Sequence, residues 1–322
     1  MIRRLTAVGY HRATLPWIPV ALANRKRSAW LSILLTAPVI PLAWIISRLP
    51  LQWIFVLGGF LGNLMLVLSP RRRHICEVNI AKCFPHLSAA EQRAFVVENF
   101  RHTAIGILEA TIIWLNPGRD LESNFVLKGL EHVHAAQADG SGVLLIGCHF
   151  TSLDILAPIL GKHFDLGATY RVNKNPLLER LQREGRNRFA NHIIDRNDMR
   201  RVYKLLRRSA VVWYLPDQDY GAKHATFTPF FGVPAATITA TSRIAKTTQA
   251  KIILLRHIRD TKTGTWELVF SPALEDFPSD DANVDAERLN ALIESQIRHA
   301  PEQYLWSHRR FKTRPPGEAG FY

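Results

Sequence analysis

The segment Gly142-Val143-Leu144-Leu145-Ile146-Gly147-Cys148-His149-Phe150-Thr151-Ser152-Leu153-Asp154 decides how the chain reads. Four apolar residues between glycines suit a short strand buried on both faces, and a helical pattern resumes at Leu153. In one continuous helix His149 and Asp154, five apart, would differ by about 140° and would not face each other. On a strand-turn-helix, His149 instead occupies the turn at the carboxyl end of the strand, where α/β sheets place their ligands. Asp154, in the first helical turn, can then reach back to one imidazole nitrogen, fix its tautomer and leave the other to take a proton from a hydroxyl. A plainer account has Thr151 or Ser152 capping the helix, Asp154 complementing its dipole and His149 as an ordinary turn residue. Cys148 points away from its neighbour and reads as a buried structural thiol.

Working outward, strand-like runs recur at 211–215, 251–258 and 266–270, and helical patterns at 176–190, 198–208, 237–249 and 284–299. Upstream, 88–116 reads as a long helix that opens on a capping box, Ser88 with Glu91, and stops at Pro117-Gly118. Alternating strands and helices predict an α/β domain with a mixed, largely parallel sheet flanked by helices. That domain is expected over 71–322. Before it lie a basic tail at 1–27 with six Lys or Arg and no acid, an uncharged run at 28–47, and a second apolar stretch at 48–70. Both apolar runs are long enough to cross a bilayer. The first is expected to be a retained membrane anchor, because it starts late and exceeds a signal-peptide core. The second, with Gly58, Gly59 and Gly62, is expected to be a helix lying against membrane or protein.

Apolar residues at 47% against 21% charged exclude a disordered chain. Three cysteines without a CxxC pair exclude a disulfide scaffold and a cysteine-rich zinc site. A net charge of +14 demands an acidic partner: nucleic acid, an anionic membrane, or an acidic protein or substrate. Much of it sits in 171–208, with 12 Lys or Arg against 4 Asp or Glu. The spacings and aromatic motifs of nucleic-acid modules are missing, which sets aside a membrane-tethered nucleic-acid binder. Asp217 and Asp219 flank Gln218 just beyond a strand end. They suit hydrogen bonds to substrate or to the His149 region, or the bracing of arginines, better than a metal, for which no His stands beside them. Glu109, a lone carboxylate among apolar helix residues, either faces the site or pairs with a base.

Several blocks follow one another in order: Trp114; the HFTSLD turn; Tyr170-Arg171-Val172-Asn173 with Asn175-Pro176; Asp195-Arg196-Asn197-Asp198; Trp213 to Gly221, including PDQDYG; Phe230-Phe231-Gly232; and His308 to Pro315. Together with Asn79-Ile80 and Cys83-Phe84-Pro85 they resemble the lipid A secondary acyltransferases of Gram-negative bacteria, over nearly the whole chain. The HRRFKTRP ending and the YRxNxNP block look more like the lauroyl branch than the myristoyl one. Some lauroyl members carry Glu where this chain has Asp154, and either carboxylate can orient a histidine. The PDQDYG and YRxNxNP blocks argue against a phospholipid or glycerolipid acyltransferase, which shares HxxxxD.

The resemblance implies transfer of an acyl chain, lauroyl for that branch, from an acyl carrier protein thioester to a 3-hydroxyacyl hydroxyl on a Kdo-bearing lipid A precursor. It implies an inner-membrane protein with a single-pass anchor and its catalytic domain in the cytoplasm. A thioester is already activated, so a base, oxyanion donors and positioning suffice, with no cofactor or metal. His149 is expected to be the base and Asp154 its orienter. Arg171 and Asn173, with Glu109, Arg196, Asp217, Gln218 and Asp219, are expected to contact substrate.

Overall fold

Val143–Ile146 forms a strand whose four residues are all buried, as an apolar run between glycines requires. In the computed structural model, which describes residues 33, 36–223 and 225–322, this strand, β2, lies at the centre of a seven-stranded sheet. The other strands are β1 (Phe125–Lys128), β3 (Leu166–Tyr170), β4 (His192–Asp195), β5 (Val211–Tyr214), β8 (Lys251–Asp260) and β9 (Thr265–Phe270), in the order β1-β9-β8-β2-β5-β3-β4. β2 runs parallel to β5 and β8, and β3 runs parallel to β4 and β5, so the carboxyl ends of β2, β3, β4 and β5 share one edge. β9 turns back antiparallel to β8 and carries β1 with it. A separate hairpin, β6 (Ala225–Phe230) with β7 (Val233–Ile238), stands beside the sheet. The expected mixed, largely parallel α/β architecture is what the chain adopts.

Alternation along β2 sorts the core into two layers. Leu144 and Ile146 face a layer with Val212 of β5 and with α8 (Met199–Leu206), α9 (Ala240–Thr248) and α10 (Ala282–Ile297). Val143 and Leu145 face the opposite layer with Val211, Ile54, Phe55, Ile105 and Ile112. That second layer contains α1 (Val39–Ile46), α2 (Leu51–Leu68) and the C-terminal part of α4 (Ala89–Leu115). The remaining helices are α3 (Pro70–Cys83), α5 (Leu130–Ala138), α6 (Ala157–His163) and α7 (Pro176–Asn187). The capping box at Ser88 forms as read: the Ser88 hydroxyl accepts from the Glu91 amide and Glu91 accepts from the Ser88 amide at 2.7 Å.

The basic tail at 1–27 lies outside the described residues, as does most of the first half of the 28–47 run. The remainder of that run forms α1. Among the described residues, the helix long and apolar enough to cross a membrane is α2. Two of its glycines, Gly58 and Gly62, are a packing device. A Cβ on Gly58 would sit 2.9 Å from the Ile105 Cα, and one on Gly62 would sit 2.4 Å from the Arg101 Cα, so α2 lies backbone-close against α4. The other side of α2 exposes Trp53, Val56, Phe60, Leu64 and Val67, a stripe at helical spacing.

Candidate active site

His149 stands three residues past the end of β2, on the turn where the sequence places it. Its carboxylate partner is Asp217, not Asp154. Asp217 Oδ1 lies 2.6 Å from His149 Nδ1, while Oδ2 accepts the backbone N–H of the same residue at 2.8 Å. One fully buried carboxylate thus fixes both the ring and the chain that carries it. Burial alone would raise the Asp217 pKa, but the charge and hydrogen bonds of His149 outweigh it and hold the carboxyl at about 2. His149 Nε2 has no hydrogen-bond partner among the described residues, and the ring lines a cleft.

Asp154 opens the short 3-10 turn Asp154–Leu156 and accepts from Arg186 Nε at 2.7 Å. The expected reach back to His149 is not made, because the guanidinium of Arg186, one residue from the end of α7, takes that carboxylate. Both the Asp154 and the Arg186 side chains are largely buried and line the cleft.

The cleft has a volume of about 320 Å³ and lies over the carboxyl ends of β2, β3, β4 and β5. Arg171, Arg186 and Arg196 make its mouth cationic, and Gln218 and Tyr220 add polar groups. Its floor is apolar, formed by Leu166, Ala168, Ala190, Ile193 and Trp213. Arg171 and Arg196 are exposed, and their side chains form no ion pair or hydrogen bond among the described residues. The blocks that carry them are turn-and-cap devices. Asn173 Oδ1 accepts the Asn175 amide, and the Asn175 side chain then caps α7 at the Leu177 and Leu178 amides, with Pro176 at the first helical position. Asp195 accepts the Asn197 amide, Asp198 caps α8, and the Arg196 amide bonds the Tyr170 carbonyl at 2.9 Å.

Three residues expected to contact substrate, Asn173, Asp219 and Glu109, are not among those that line the cleft. Asn173 does not line the cleft; it shapes the turn, and its own N–H donates to Glu179 at 2.6 Å. Asp219 faces the C-terminal segment, where it accepts from the Thr313 amide and hydroxyl at 2.6 and 2.9 Å. Glu109 is fully buried and grips Arg259 with both oxygens, at 2.5 and 2.7 Å, while the Trp266 indole donates to it at 3.0 Å. This pair braces the turn from below. Arg259 reaches the Thr151 hydroxyl at 3.4 Å and His102 Nδ1 at 3.0 Å. Burial and the Arg259 charge push the His102 pKa down to about 3, leaving a neutral ring to accept. A Cβ on Gly106 would meet the Thr151 carbonyl oxygen at 2.1 Å, so only glycine lets α4 seat the turn. From the other side Leu305 N–H bonds the His149 carbonyl at 2.9 Å, and Thr151 N–H bonds the Gln303 carbonyl at 2.8 Å. Sequence reasoning singled out neither Arg186 nor Arg259. For Arg186 the available signal was its i,i+4 spacing from Gln182 on one helix, and both residues line the cleft.

A carboxylate-held imidazole beside a cleft with a cationic mouth and an apolar floor has the parts of an enzyme that activates a hydroxyl on an anionic amphiphile. The sequence model for bacterial lipid A biosynthesis acyltransferases matches residues 23–313, and the chain belongs to that family of acyltransferases. It is 38% identical to the lipid A biosynthesis lauroyltransferase of Escherichia coli K12, over 87% of this chain and 92% of that protein. It is 36% identical to the palmitoleoyltransferase of the same organism over 87% and 91%, and 30% identical to its myristoyltransferase over 81% and 80%.

Proposed function

We propose that this acyltransferase moves a fatty acyl chain, lauroyl in the first instance, from an acyl carrier protein thioester to the hydroxyl of a 3-hydroxyacyl chain on a Kdo-linked lipid A precursor. The observation that carries the reading is the His149–Asp217 pair at the rim of a cleft that is cationic outside and apolar within. Asp217 holds the proton on Nδ1, so Nε2 takes the proton of the acceptor hydroxyl as its oxygen attacks the thioester carbonyl. The tetrahedral intermediate collapses with cleavage of the C–S bond, and the imidazolium returns its proton to the departing thiolate. An anionic Asp217 stabilises the imidazolium between the two steps. Arg171 and Arg196, free to engage a ligand, suit the phosphate and carboxylate groups of the acceptor. The apolar floor suits an acyl chain, at about 0.8 kcal/mol for each methylene buried.

The lauroyl assignment draws on 38% identity to the lauroyltransferase, against 36% to the palmitoleoyltransferase and 30% to the myristoyltransferase. The exposed stripe of α2 supports membrane attachment, with the catalytic domain on the cytoplasmic side of the inner membrane where a carrier-protein thioester is available. The test is lipid A mass spectrometry in a strain deleted for the gene, with and without its restoration. Loss of one twelve-carbon acyl substituent and its return on complementation is the expected result. An unchanged lipid A profile would reject the acceptor, and loss of a different chain would reject lauroyl alone.

A further inference from the structure

On the sheet face away from α2, the helices α8 and α9 enclose a shallow groove lined by Arg200, Lys204, Arg207, Arg208 and Arg243. All five are exposed. Among the described residues no carboxylate lines the groove, and none of the five forms a salt bridge. The helix beneath is sharply two-sided: Val202, Leu205 and Leu206 are buried while the cations turn outward. Unneutralised like charges repel one another, and an anionic partner relieves that repulsion.

We propose that this groove is the docking surface for the acidic carrier protein that brings the acyl thioester, an inference that rests on the donor assigned above. Two observations favour a soluble acidic protein over an anionic membrane. First, the groove belongs to the layer packed on Leu144, Ile146 and Val212, whereas the apolar stripe belongs to a helix whose Ile54 and Phe55 pack on the opposite layer. A bilayer that covers α2 therefore leaves the groove facing away from it. Second, α8 begins three residues after Arg196, which lines the cleft, and its eight residues run only about 12 Å. The groove thus begins near the cleft and extends along α8 toward the amino ends of the strands, where Leu206 lies against Gly142, so a protein seated here needs a flexible arm to deliver its acyl group to the cleft. The cations act by attraction and orientation, so they govern donor capture and not the chemical step.

The test uses the full chain in detergent and the triple variant Lys204→Glu/Arg207→Glu/Arg208→Glu. With acyl carrier protein thioester as donor, the variant should raise donor KM on the order of tenfold while acceptor KM stays within about twofold, and high salt should bring the wild type toward the variant. Transfer from a small acyl thioester lacking the protein should be unchanged. Lys262→Glu, at the tip of the β8–β9 hairpin, should leave donor KM as it is. A triple variant with wild-type donor KM overturns the proposal, as does one that loses only binding to anionic phospholipid vesicles. The two readings fail separately. Wild-type enzyme that binds the carrier through this groove but transfers nothing from it rejects the donor and keeps the surface, and wild-type transfer with an unaffected triple variant rejects the surface and keeps the donor.

Discussion

Asp217 accepts from one residue with both oxygens and is wholly buried, so its carboxylate has few other solvating groups. Replacing it by Asn removes the charge that steadies the imidazolium and permits the wrong tautomer, and we expect kcat to fall by about 10² to 10⁴. Asp154→Asn frees Arg186 at the cleft mouth but leaves the ring held, so it should act more on acceptor KM and cost less in kcat. Steady-state kinetics on the two variants ranks them, and an Asp154→Asn loss in kcat equal to that of Asp217→Asn would contradict the assignment. The same carboxylate predicts an acid limit. Its pKa is depressed from 3.8 to about 2, so its ionised form stabilises the fold above the unfolded value, and this contribution is lost as pH falls through about 2. Thermal melts between pH 4 and 2 should therefore fall less steeply in Asp217→Asn than in the wild type. The histidine was legible in the sequence because its turn follows an apolar run bounded by glycines. Its partner was legible only as one alternative among several for Asp217, hydrogen bonds to substrate, to the His149 region or to arginines, because Asp217 lies 68 residues away and only the parallel pairing of β2 with β5 brings the two loops together.

At the scale of elements, the site depends on a turn clamped between α4 and the C-terminal segment. Gly106 is its tightest point, and an alanine there meets the Thr151 backbone, which cannot move without displacing His149. Gly106→Ala should cost about 1–3 kcal/mol of stability by overpacking and lower kcat at temperatures where the protein is still folded. Chemical denaturation and rate measurements on one preparation separate the two effects. Retention of both stability and rate would show that the turn is not seated as described. Elements with an unbroken pattern were readable in advance: α4, α10, β5, β8 and β9 fall within a few residues of the expected spans. β1, β3, β4 and the β6–β7 hairpin were not, because their mix of exposed, half-buried and buried residues gives no clean apolar run. Glu109 showed the complementary difficulty. A carboxylate among apolar residues announces a partner, and Arg259 lies 150 residues further along the chain.

Over the whole molecule, one layer turns an apolar helix outward and the other presents cations, with the cleft along the strand ends between them. If the stripe of α2 faces lipid, Val56→Lys/Phe60→Lys should shift the protein from the membrane to the soluble fraction, because both side chains are about two-thirds exposed and make little of the core. Fractionation checks this, and an unchanged membrane share would assign attachment to another segment. The most direct test of the central claim is acyl transfer by purified protein, with acyl carrier protein thioester and Kdo-lipid A precursor, read by the mass of the product lipid. Wild type should add one acyl chain per acceptor, and His149→Ala, shown folded by its melting curve, should be slower by about 10² to 10⁴. A folded His149→Ala enzyme that keeps more than roughly a third of the wild-type rate, where loss of a general base should remove nearly all of it, would contradict the account.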